Sequence, residues 1–292
     1  MDINYELYKV FYYVADTLSF SEASKQLFIS QSAVSQSIKA LEKKLDQVLF
    51  IRSTKKVQLT PEGEILLRHI EPAINLIKRG ESQIMEAAST GGQIRIGASD
   101  TICRYFLVPY LERFHKAFPN AHIKVTNATS IKCTELLETG QVDLIIANYP
   151  NAYLGSLASF RKIRDFHDVF IANQSFAELQ GKKLSLKELQ RYPIIMLDKK
   201  STTSEFLHSL FQQHQLDLVP EIELSSNDLL IDLARIGLGI AFIPDFCLSQ
   251  TSDSDSLFIV ETKEVLPERE LVIAYNEKVP ISKAAQEFLS YF

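Results

Sequence analysis

Residues 20–63 of the chain are FSEASKQLFISQSAVSQSIKALEKKLDQVLFIRSTKKVQLTPEG, and this segment predicts the fold of the N-terminal part of the chain. Ser19, just before it, and Glu22 have the spacing of a capping box, which predicts a short helix. Ser30 can cap a further helix that runs from about residue 31 to residue 44. Two short helices joined by a tight turn, ahead of a basic stretch, are typical of a helix-turn-helix.

The helix predicted over 31–44 has two chemically different faces. At 100° per residue, one face is an apolar stripe that consists of Val34, Ile38, Leu41 and Leu45. The opposite face carries hydroxyl and amide groups first and cations later: Ser32, Ser35, Gln36, Lys39 and Lys43. That order suits a recognition helix in the major groove, because short polar groups can contact base edges while cations contact phosphates. A solvated surface face is the alternative, and the pattern alone leaves both interpretations open.

A β-hairpin is predicted to follow this helix. Residues 48–51 are apolar, residues 52–56 form a turn with three cations, and residues 57–59 alternate like a second strand. Seven basic and two acidic residues lie between positions 25 and 56, whereas the whole chain has a net charge of −5. The sequence therefore predicts an acidic body that carries one basic segment suited to nucleic acid.

Residues 20–63 resemble the winged helix-turn-helix of LysR-type transcriptional regulators. The matching positions keep their order and spacing without gaps: Phe20, Ala23, Leu27, Ser30, Gln31, Ala33, Val34, Ser35, Ile38, Leu41, Glu42, Leu45, Leu49, Phe50, Arg52, Leu59, Thr60, Glu62 and Gly63. Three positions depart from the family pattern: Ser32 stands where Pro is usual, Asp46 where Gly is usual, and Gln36 where many members have Arg. Pattern and resemblance together predict contacts with double-stranded DNA from Gln31, Ser32, Ser35, Gln36, Lys39, Arg52, Lys55 and Lys56.

A long linker helix is predicted next, from Thr60-Pro61-Glu62 to about Ala88. Its apolar residues have the alternating spacing of a coiled-coil seam: Leu66, Ile70, Ala73, Ile77 and Ile84. The seam favours a helix that pairs with a second copy, although packing on its own domain is the alternative. Pro72 is expected to kink this helix, and residues 89–92 are expected to form a hinge.

The C-terminal two hundred residues alternate strands with helices. Strands at 94–98, 122–125 and 142–147 with helices between them predict a parallel βαβαβ unit. A second series follows, with strands at 168–171, 194–197, 221–225, 239–243 and 271–275. This α/β part resembles the effector-binding domain of the same family, a two-lobed fold of doubly wound sheets shared with periplasmic solute-binding proteins. The segments that carry this resemblance are Ile94–Thr101, Gly140–Leu144 and Gly237–Ile240.

The expected domain organisation has three parts. Residues 1–60 form the winged helix-turn-helix, residues 61–91 the linker helix and hinge, and residues 92–292 the effector-binding domain. Its first lobe is expected at about 92–162 and 268–292, and its second at about 163–267. The chain is expected to cross between the lobes near 161–167 and 263–269.

Three hydroxyl-rich helix starts follow strands in this domain. They supply the predicted effector-binding residues Ser99, Asp100, Thr101, Thr129, Ser130, Thr202 and Thr203. Because the carboxyl ends of parallel strands meet in one crevice, and helix N-termini favour negative charge, a small anionic ligand is predicted there. The alternative is that each hydroxyl only caps its own helix. Asp100 departs from a simple anion site, because its carboxylate would repel a negative ligand.

The rest of the sequence contains no motif that indicates an enzyme or a metal-binding protein. The chain has 292 residues, 46% hydrophobic and 23% charged, which is typical of a globular protein of about two domains. It contains no GxSxG, HExxH, Walker A or GxGxxG motif, and its six histidines lack zinc-ligand spacing. No catalytic residue, metal or cofactor is therefore expected.

The cysteines and the N-terminus predict a cytoplasmic location. Cys103, Cys133 and Cys247 lie far apart and show no disulfide framework. Cys103 follows a helix start, a place that can lower a thiol pKa, and Cys133 has a similar place in the next helix. The sequence shows no redox arrangement of these thiols, so packed cysteines are expected. Asp2 and Glu6 stand where a secretory signal would need basic residues, and no apolar run is long enough to span a membrane.

These observations predict a LysR-type transcriptional regulator. The resemblance implies a homo-oligomer, a dimer or a tetramer with two kinds of dimer contact. It implies binding to interrupted palindromic DNA, because a two-fold dimer places two recognition helices on successive major grooves. A small effector and the chain itself are the other expected partners, with RNA polymerase a candidate and no membrane. The alternative is a cytosolic solute-binding or enzymatic α/β protein whose N-terminal module serves only in assembly.

Overall fold

The computed structural model describes residues 3–52, 56–87, 92–155, 158–250 and 257–292, and the chain divides into two compact units. The first unit is Met1–Met85 with Thr139–Gln141, and the second is Glu86–Glu138 with Val142–Phe292. Of the residues named above, Asp2, residues 53–55 of the predicted turn (with Lys55), Ala88 and residues 89–91 of the predicted hinge lie outside the described residues, and the side chain of Arg52 is not described.

The first unit begins as a three-helix module with a short hairpin. Its elements are α1 (Tyr5–Thr17), α2 (Phe20–Leu27), α3 (Gln31–Leu45), β1 (Phe50–Arg52), β2 (Val57–Leu59) and α4 (Pro61–Ala87). Phe11, Val34 and Ile38 are fully buried where α1 meets α3. The strands pair antiparallel with Phe50 opposite Leu59, so the predicted winged helix-turn-helix is confirmed. The first strand starts two residues later than expected, because Val48 is 62% exposed and precedes the ladder.

Side-chain caps fix where the short helices begin. Ser19 accepts a hydrogen bond from the Glu22 backbone N–H at 3.2 Å, and Ser30 accepts one from Ala33 at 3.2 Å. The Glu22 carboxylate instead pairs with Lys25 at 3.1 Å. The predicted capping box is therefore present only in its Ser19 half, because a cation one turn further on attracts the carboxylate.

The long helix α4 is one helix from Pro61 to Ala87, with Pro72 inside it. Leu66 and Ile70 pack against the core of the first unit. Further along, Ile77 is 44% exposed and Ile84 is 76% exposed. The first half of the predicted seam therefore belongs to the core of this unit, and the second half leaves apolar side chains on the surface.

The second unit alternates strands and helices. In chain order its elements are β3 (Gln93–Ala98), α5 (Asp100–Ile102), a π-helical turn (Cys103–Leu107), α6 (Val108–Ala117), β4 (His122–Asn127), α7 (Ser130–Glu138), β5 (Leu144–Tyr149), β6 (Ala158–Phe166), β7 (Asp168–Asn173), a 3-10 helix (Gln174–Leu179), β8 (Lys183–Leu184), α8 (Leu186–Leu189), β9 (Ile194–Leu197), α9 (Thr202–Gln213), β10 (Ile222–Leu224), α10 (Asn227–Arg235), β11 (Ile240–Pro244), a second 3-10 helix (Asp245–Gln250), β12 (Leu257–Thr262), β13 (Arg269–Asn276) and α11 (Lys283–Leu289).

The strands of this unit form two sheets, which define two lobes. The first lobe has the strand order β4-β3-β5-β13-β6, and the second has the order β10-β9-β11-β7-β12-β8. β3 pairs parallel with β4 and β5, as predicted, whereas β13 pairs antiparallel with β5 and β6. The α/β class with two lobes is thus confirmed.

The chain passes between the sheets twice, at His167 and again over residues 263–268. Residues 161–166, expected to belong to a crossing, lie instead in the edge strand β6. The sequence ASFRKIRDF lacks the apolar alternation that predicts a strand, because an edge strand exposes charged side chains on its outer side. β8 and β12 were not predicted either.

Candidate functional site

The exposed face of α3 is the first candidate site, and it lies in the first unit. Val34, Ile38 and Leu41 are fully buried on the opposite side of the helix. The predicted DNA-contacting residues Gln31, Ser32, Gln36 and Lys39 are exposed, and Ser35 is half-buried. Lys56, on the hairpin, is also exposed. The structure thus gives α3 one continuous polar face, open for contact with a large partner.

The second candidate site is a cavity of about 220 Å³ between the two lobes of the second unit. All seven residues predicted to bind an effector line it: Ser99, Asp100, Thr101, Thr129, Ser130, Thr202 and Thr203. They follow β3, β4 and β9, whose carboxyl ends face the same crevice. The geometry therefore brings together residues that lie about one hundred positions apart in the sequence.

Several of these hydroxyls also cap their own helices. Ser99 accepts from the Ile102 backbone N–H at 3.2 Å, and Thr129 accepts from Lys132 at 3.3 Å. Ser201, beside the predicted pair in the second lobe, accepts from Ser204 at 3.0 Å. Ser130 instead accepts from the backbone N–H of Asn148 at 3.1 Å. Capping thus accounts for some of the polar side chains around the cavity.

The threonines make a different set of contacts. Thr101 accepts from Asn227 Nδ2 at 2.9 Å, and this bond joins the first lobe to the second. Asn148 Nδ2 donates to Thr202 at 3.4 Å, again between the lobes. Asn148 and Asn227 both line the cavity. The lobes are therefore held together by side chains of the cavity itself.

A buried ion pair lies behind the cavity wall. Arg269 Nη1 is 2.7 Å from Asp168 Oδ2, and both side chains are fully buried. The same Arg269 nitrogen donates to Thr203 Oγ1 at 3.1 Å, and the guanidinium lies over the rings of Phe166 and Phe206. Burial raises the pKa of the Asp168 carboxyl, and the charge of Arg269 acts in the opposite direction.

The charges that line the cavity are negative. Asp100 and Asp198 contribute carboxylates, and no Lys, Arg or His is among the lining residues that the structure describes. The departure noted for Asp100 therefore remains. Positive potential can come from helix N-termini and from Arg269, which lies behind Thr203 and donates a hydrogen bond to it.

Further contacts join the lobes beside the cavity. Asp228 accepts a hydrogen bond from Tyr105 and pairs with Arg104 at 3.1 Å. Burial and this hydrogen bond hold the pKa of Tyr105 well above its usual value. Tyr153 donates to Glu205 at 3.0 Å. Together with the two threonine contacts, these bonds keep the lobes closed against each other.

Sequence reasoning missed the second lobe's other helix start, which also lines the cavity. Ser225, Ser226 and Asn227 follow β10 just as the predicted residues follow their strands. The same signal, hydroxyl and amide groups between a strand and a helix, could have identified them. Asn148, Asp168 and Arg269 carry no such signal, because their roles depend on pairing between distant strands.

The cysteines are free thiols, and they are packed as expected: Cys133 and Cys247 are buried and Cys103 is half-buried. Burial, followed by the charge of Asp100, raises the pKa of Cys103 to about 11 instead of lowering it. Burial also raises the pKa of Cys133 to about 12. The π-helical turn places the half-buried Cys103 thiol 3.3 Å from Asn127 Oδ1, where loss of hydration outweighs the effect of the helix start on the pKa.

No group of three or more His, Cys, Asp or Glu side chains in the described ranges could hold a metal ion. No helix in the part of the chain that the structure describes is both long and apolar enough to cross a membrane.

Two family models match the chain. "Bacterial regulatory helix-turn-helix protein, lysR family" covers residues 5–64, and "LysR substrate binding domain" covers residues 87–292. The HTH-type transcriptional activator CmpR of Synechocystis sp. is 26% identical over 285 residues, which span 97% of this chain and 93% of CmpR.

Solved structures have the same fold. Full-length CbnR complexed with target DNA has a TM-score of 0.67 at 17% identity, covering 99% of this chain and 98% of CbnR. The regulatory domain of Synechocystis PCC6803 CcmR, in complex with 2-PG, has a TM-score of 0.62 at 22% identity, covering 68% of this chain and 95% of that domain.

Proposed function

The chain belongs to the LysR family of DNA-binding transcriptional regulators, and from this premise we propose that a small anionic metabolite bound between the two lobes controls it. The observation that carries the proposal is the cavity of about 220 Å³, which is lined by all seven predicted residues. Helix starts and hydroxyl donors around a cavity favour a negative ligand. The complex of the similar CcmR regulatory domain with 2-PG supports a small-molecule ligand in this fold.

The DNA target, in this proposal, is an interrupted palindrome read by α3. Its exposed Ser32, Gln36 and Lys39 supply base and phosphate contacts. The exposed Ile77 and Ile84 of α4 supply a surface for pairing with a second copy of the chain. The CbnR complex with its target DNA supports this use of the fold. Such a regulator acts in the cytoplasm and needs no catalytic residue, cofactor or metal.

A thermal-shift screen of the full-length chain tests the effector. Small anions are expected to raise the melting temperature, since a ligand at 100 times its Kd stabilises by about 2.7 kcal/mol. Ser99→Ala should lower the affinity for the compound found in this screen and leave DNA binding without ligand unchanged. Ser185→Ala, which removes a cap away from the cavity, is the matched control and should leave the hit's affinity unchanged.

Reciprocity supplies a second readout. If effector and DNA are coupled, each changes the other's affinity by the same factor. A melting temperature that responds only to amines or neutral compounds would contradict the anionic effector. A hit whose affinity is unchanged by Ser99→Ala would place the ligand elsewhere.

A further inference from the structure

Three threonines that line the interlobe cavity share one hydrogen-bonding pattern. Each accepts a hydrogen bond through its Oγ1 atom from a side-chain nitrogen. The pairs are Asn227 with Thr101 at 2.9 Å, Asn148 with Thr202 at 3.4 Å, and Arg269 with Thr203 at 3.1 Å. Asn227 and Arg269 are buried, with exposures of 6% and 1%.

This pattern determines which hydrogen bonds the three hydroxyls can still make. A threonine hydroxyl has one O–H donor besides its acceptor lone pairs, and a guanidinium can only donate. The proton of Thr203 therefore points away from Arg269. Within the described residues, none of the three hydroxyls donates to another protein group. Three O–H donors are thus left for a ligand.

We propose that the three nitrogens fix the hydrogen-bonding polarity of the cavity, so that it presents threonine O–H donors to an oxyanion with several acceptor oxygens. Asn227, Asn148 and Arg269 are then positioning residues that act through the threonines. This inference rests on the proposed effector site and adds the residues that orient its donors and the need for several acceptor oxygens on the ligand. Three oriented O–H groups can bind an oxyanion although the lining side chains include the carboxylates of Asp100 and Asp198.

Two of the three pairs join the lobes. Thr101 belongs to the first lobe and Asn227 to the second, while Asn148 belongs to the first and Thr202 to the second. The donor set is therefore complete only when the lobes are closed. A ligand that needs these donors binds the closed arrangement better, and so shifts the lobes towards closure.

A double-mutant cycle on the full-length chain tests the positioning role, with inorganic phosphate as the probe. Calorimetric titrations at constant ionic strength compare wild type, Thr101→Val, Asn227→Leu and the double variant. Each single change is expected to weaken phosphate binding about 10-fold, the loss of one charge-assisted hydrogen bond. The double variant should also lose about 10-fold, because Asn227 acts through Thr101. Thr101→Ser keeps the hydroxyl and should bind within about 3-fold of wild type.

Controls separate a positioning role from a structural one. The double variant replaces both partners by apolar groups and so leaves no buried polar atom unpaired. Asn148→Leu with Thr202→Val forms a second, independent cycle with the same expectation. Thr134→Val alters a threonine that is as buried as Thr202 but lies outside the cavity, and it should leave phosphate affinity unchanged.

The outcomes distinguish this inference from the function it rests on. Losses that multiply to about 100-fold in the double variants, or Asn227→Leu and Asn148→Leu chains that bind phosphate like wild type, overturn the positioning role while the anionic effector stands. A wild-type chain that binds neither phosphate nor sulfate overturns the anionic effector and this inference together.

Discussion

The polar face of α3 takes its residues from one continuous helix, whereas the interlobe cavity takes its residues from helix starts and strands scattered between Ser99 and Phe246. On α3 the polar side chains are mostly exposed. Around the cavity, Thr101 and Thr202 are hydrogen-bonded across the lobes, and Arg269 behind the cavity wall is paired with Asp168. The first surface can therefore change residue by residue at little cost in stability, while in the second stability and recognition share the same bonds.

Arg269→Met is the substitution expected to show the largest difference in stability between the two surfaces. Removing the guanidinium leaves Asp168 buried without its partner, which should lower the free energy of unfolding by about 3–5 kcal/mol. Lys39→Met, on the exposed face of α3, should change it by no more than about 0.5 kcal/mol. Urea unfolding of the full-length chains, followed by circular dichroism, measures both.

Adding Asp168→Leu to Arg269→Met should restore much of the lost stability, because a well-packed apolar pair can replace a buried ion pair. Equal stabilities for Arg269→Met and Lys39→Met would mean that removing one partner of the buried ion pair costs no stability.

The contrast also explains what could be predicted from the sequence. The helices α2 and α3 and the hydroxyl-rich starts at Ser99 and Thr129 follow from residues three or four positions apart, so periodicity and capping rules identify them. Arg269 and Asp168 are 101 positions apart. Their pairing depends on how the two crossings between lobes align, which no local pattern encodes. β6 was missed for a related reason, since its strand character comes from pairing with β13, over one hundred residues later.

Gln36→Ala tests recognition by α3. Gln36 is exposed on its polar face, where an amide can contact a base edge. The variant should lose about 1–3 kcal/mol of discrimination at one base pair of the operator and keep its preference elsewhere. Base-by-base substitution of a duplex selected by the wild-type chain measures this. Gln213→Ala, an exposed amide at the end of α9, serves as the control, and identical profiles for the two variants would move base recognition away from Gln36.

Lys39→Ala should have a smaller effect that does not depend on sequence. Loss of one phosphate contact reduces the slope of log affinity against log salt concentration by about 0.9. Lys116, which is also exposed but belongs to the second unit, is the matched position, and Lys116→Ala should leave the slope unchanged. Fluorescence anisotropy over a salt series with specific and random duplexes gives both slopes. If the change appears only on the specific duplex, Lys39 contacts a base and not a phosphate.

The smallest effect concerns a backbone difference between the two units. Asp46 ends α3 in the left-handed conformation, with φ 53°, and the Gln47 N–H donates to Glu42 O at 3.1 Å. Left-handed backbone costs a residue with a Cβ about 1–2 kcal/mol, whereas glycine adopts it freely but loses more entropy on folding. Asp46→Gly should therefore stabilise the first unit by about 0.5 kcal/mol.

Gly237 has φ +81° in the second unit, and a Cβ there would lie 2.6 Å from Ser175 Oγ. Gly237→Ala should accordingly destabilise by about 1–2 kcal/mol. Thermal unfolding of both variants checks the pair, and a lower melting temperature for Asp46→Gly would show that the aspartate side chain contributes more at this helix end than its backbone conformation costs.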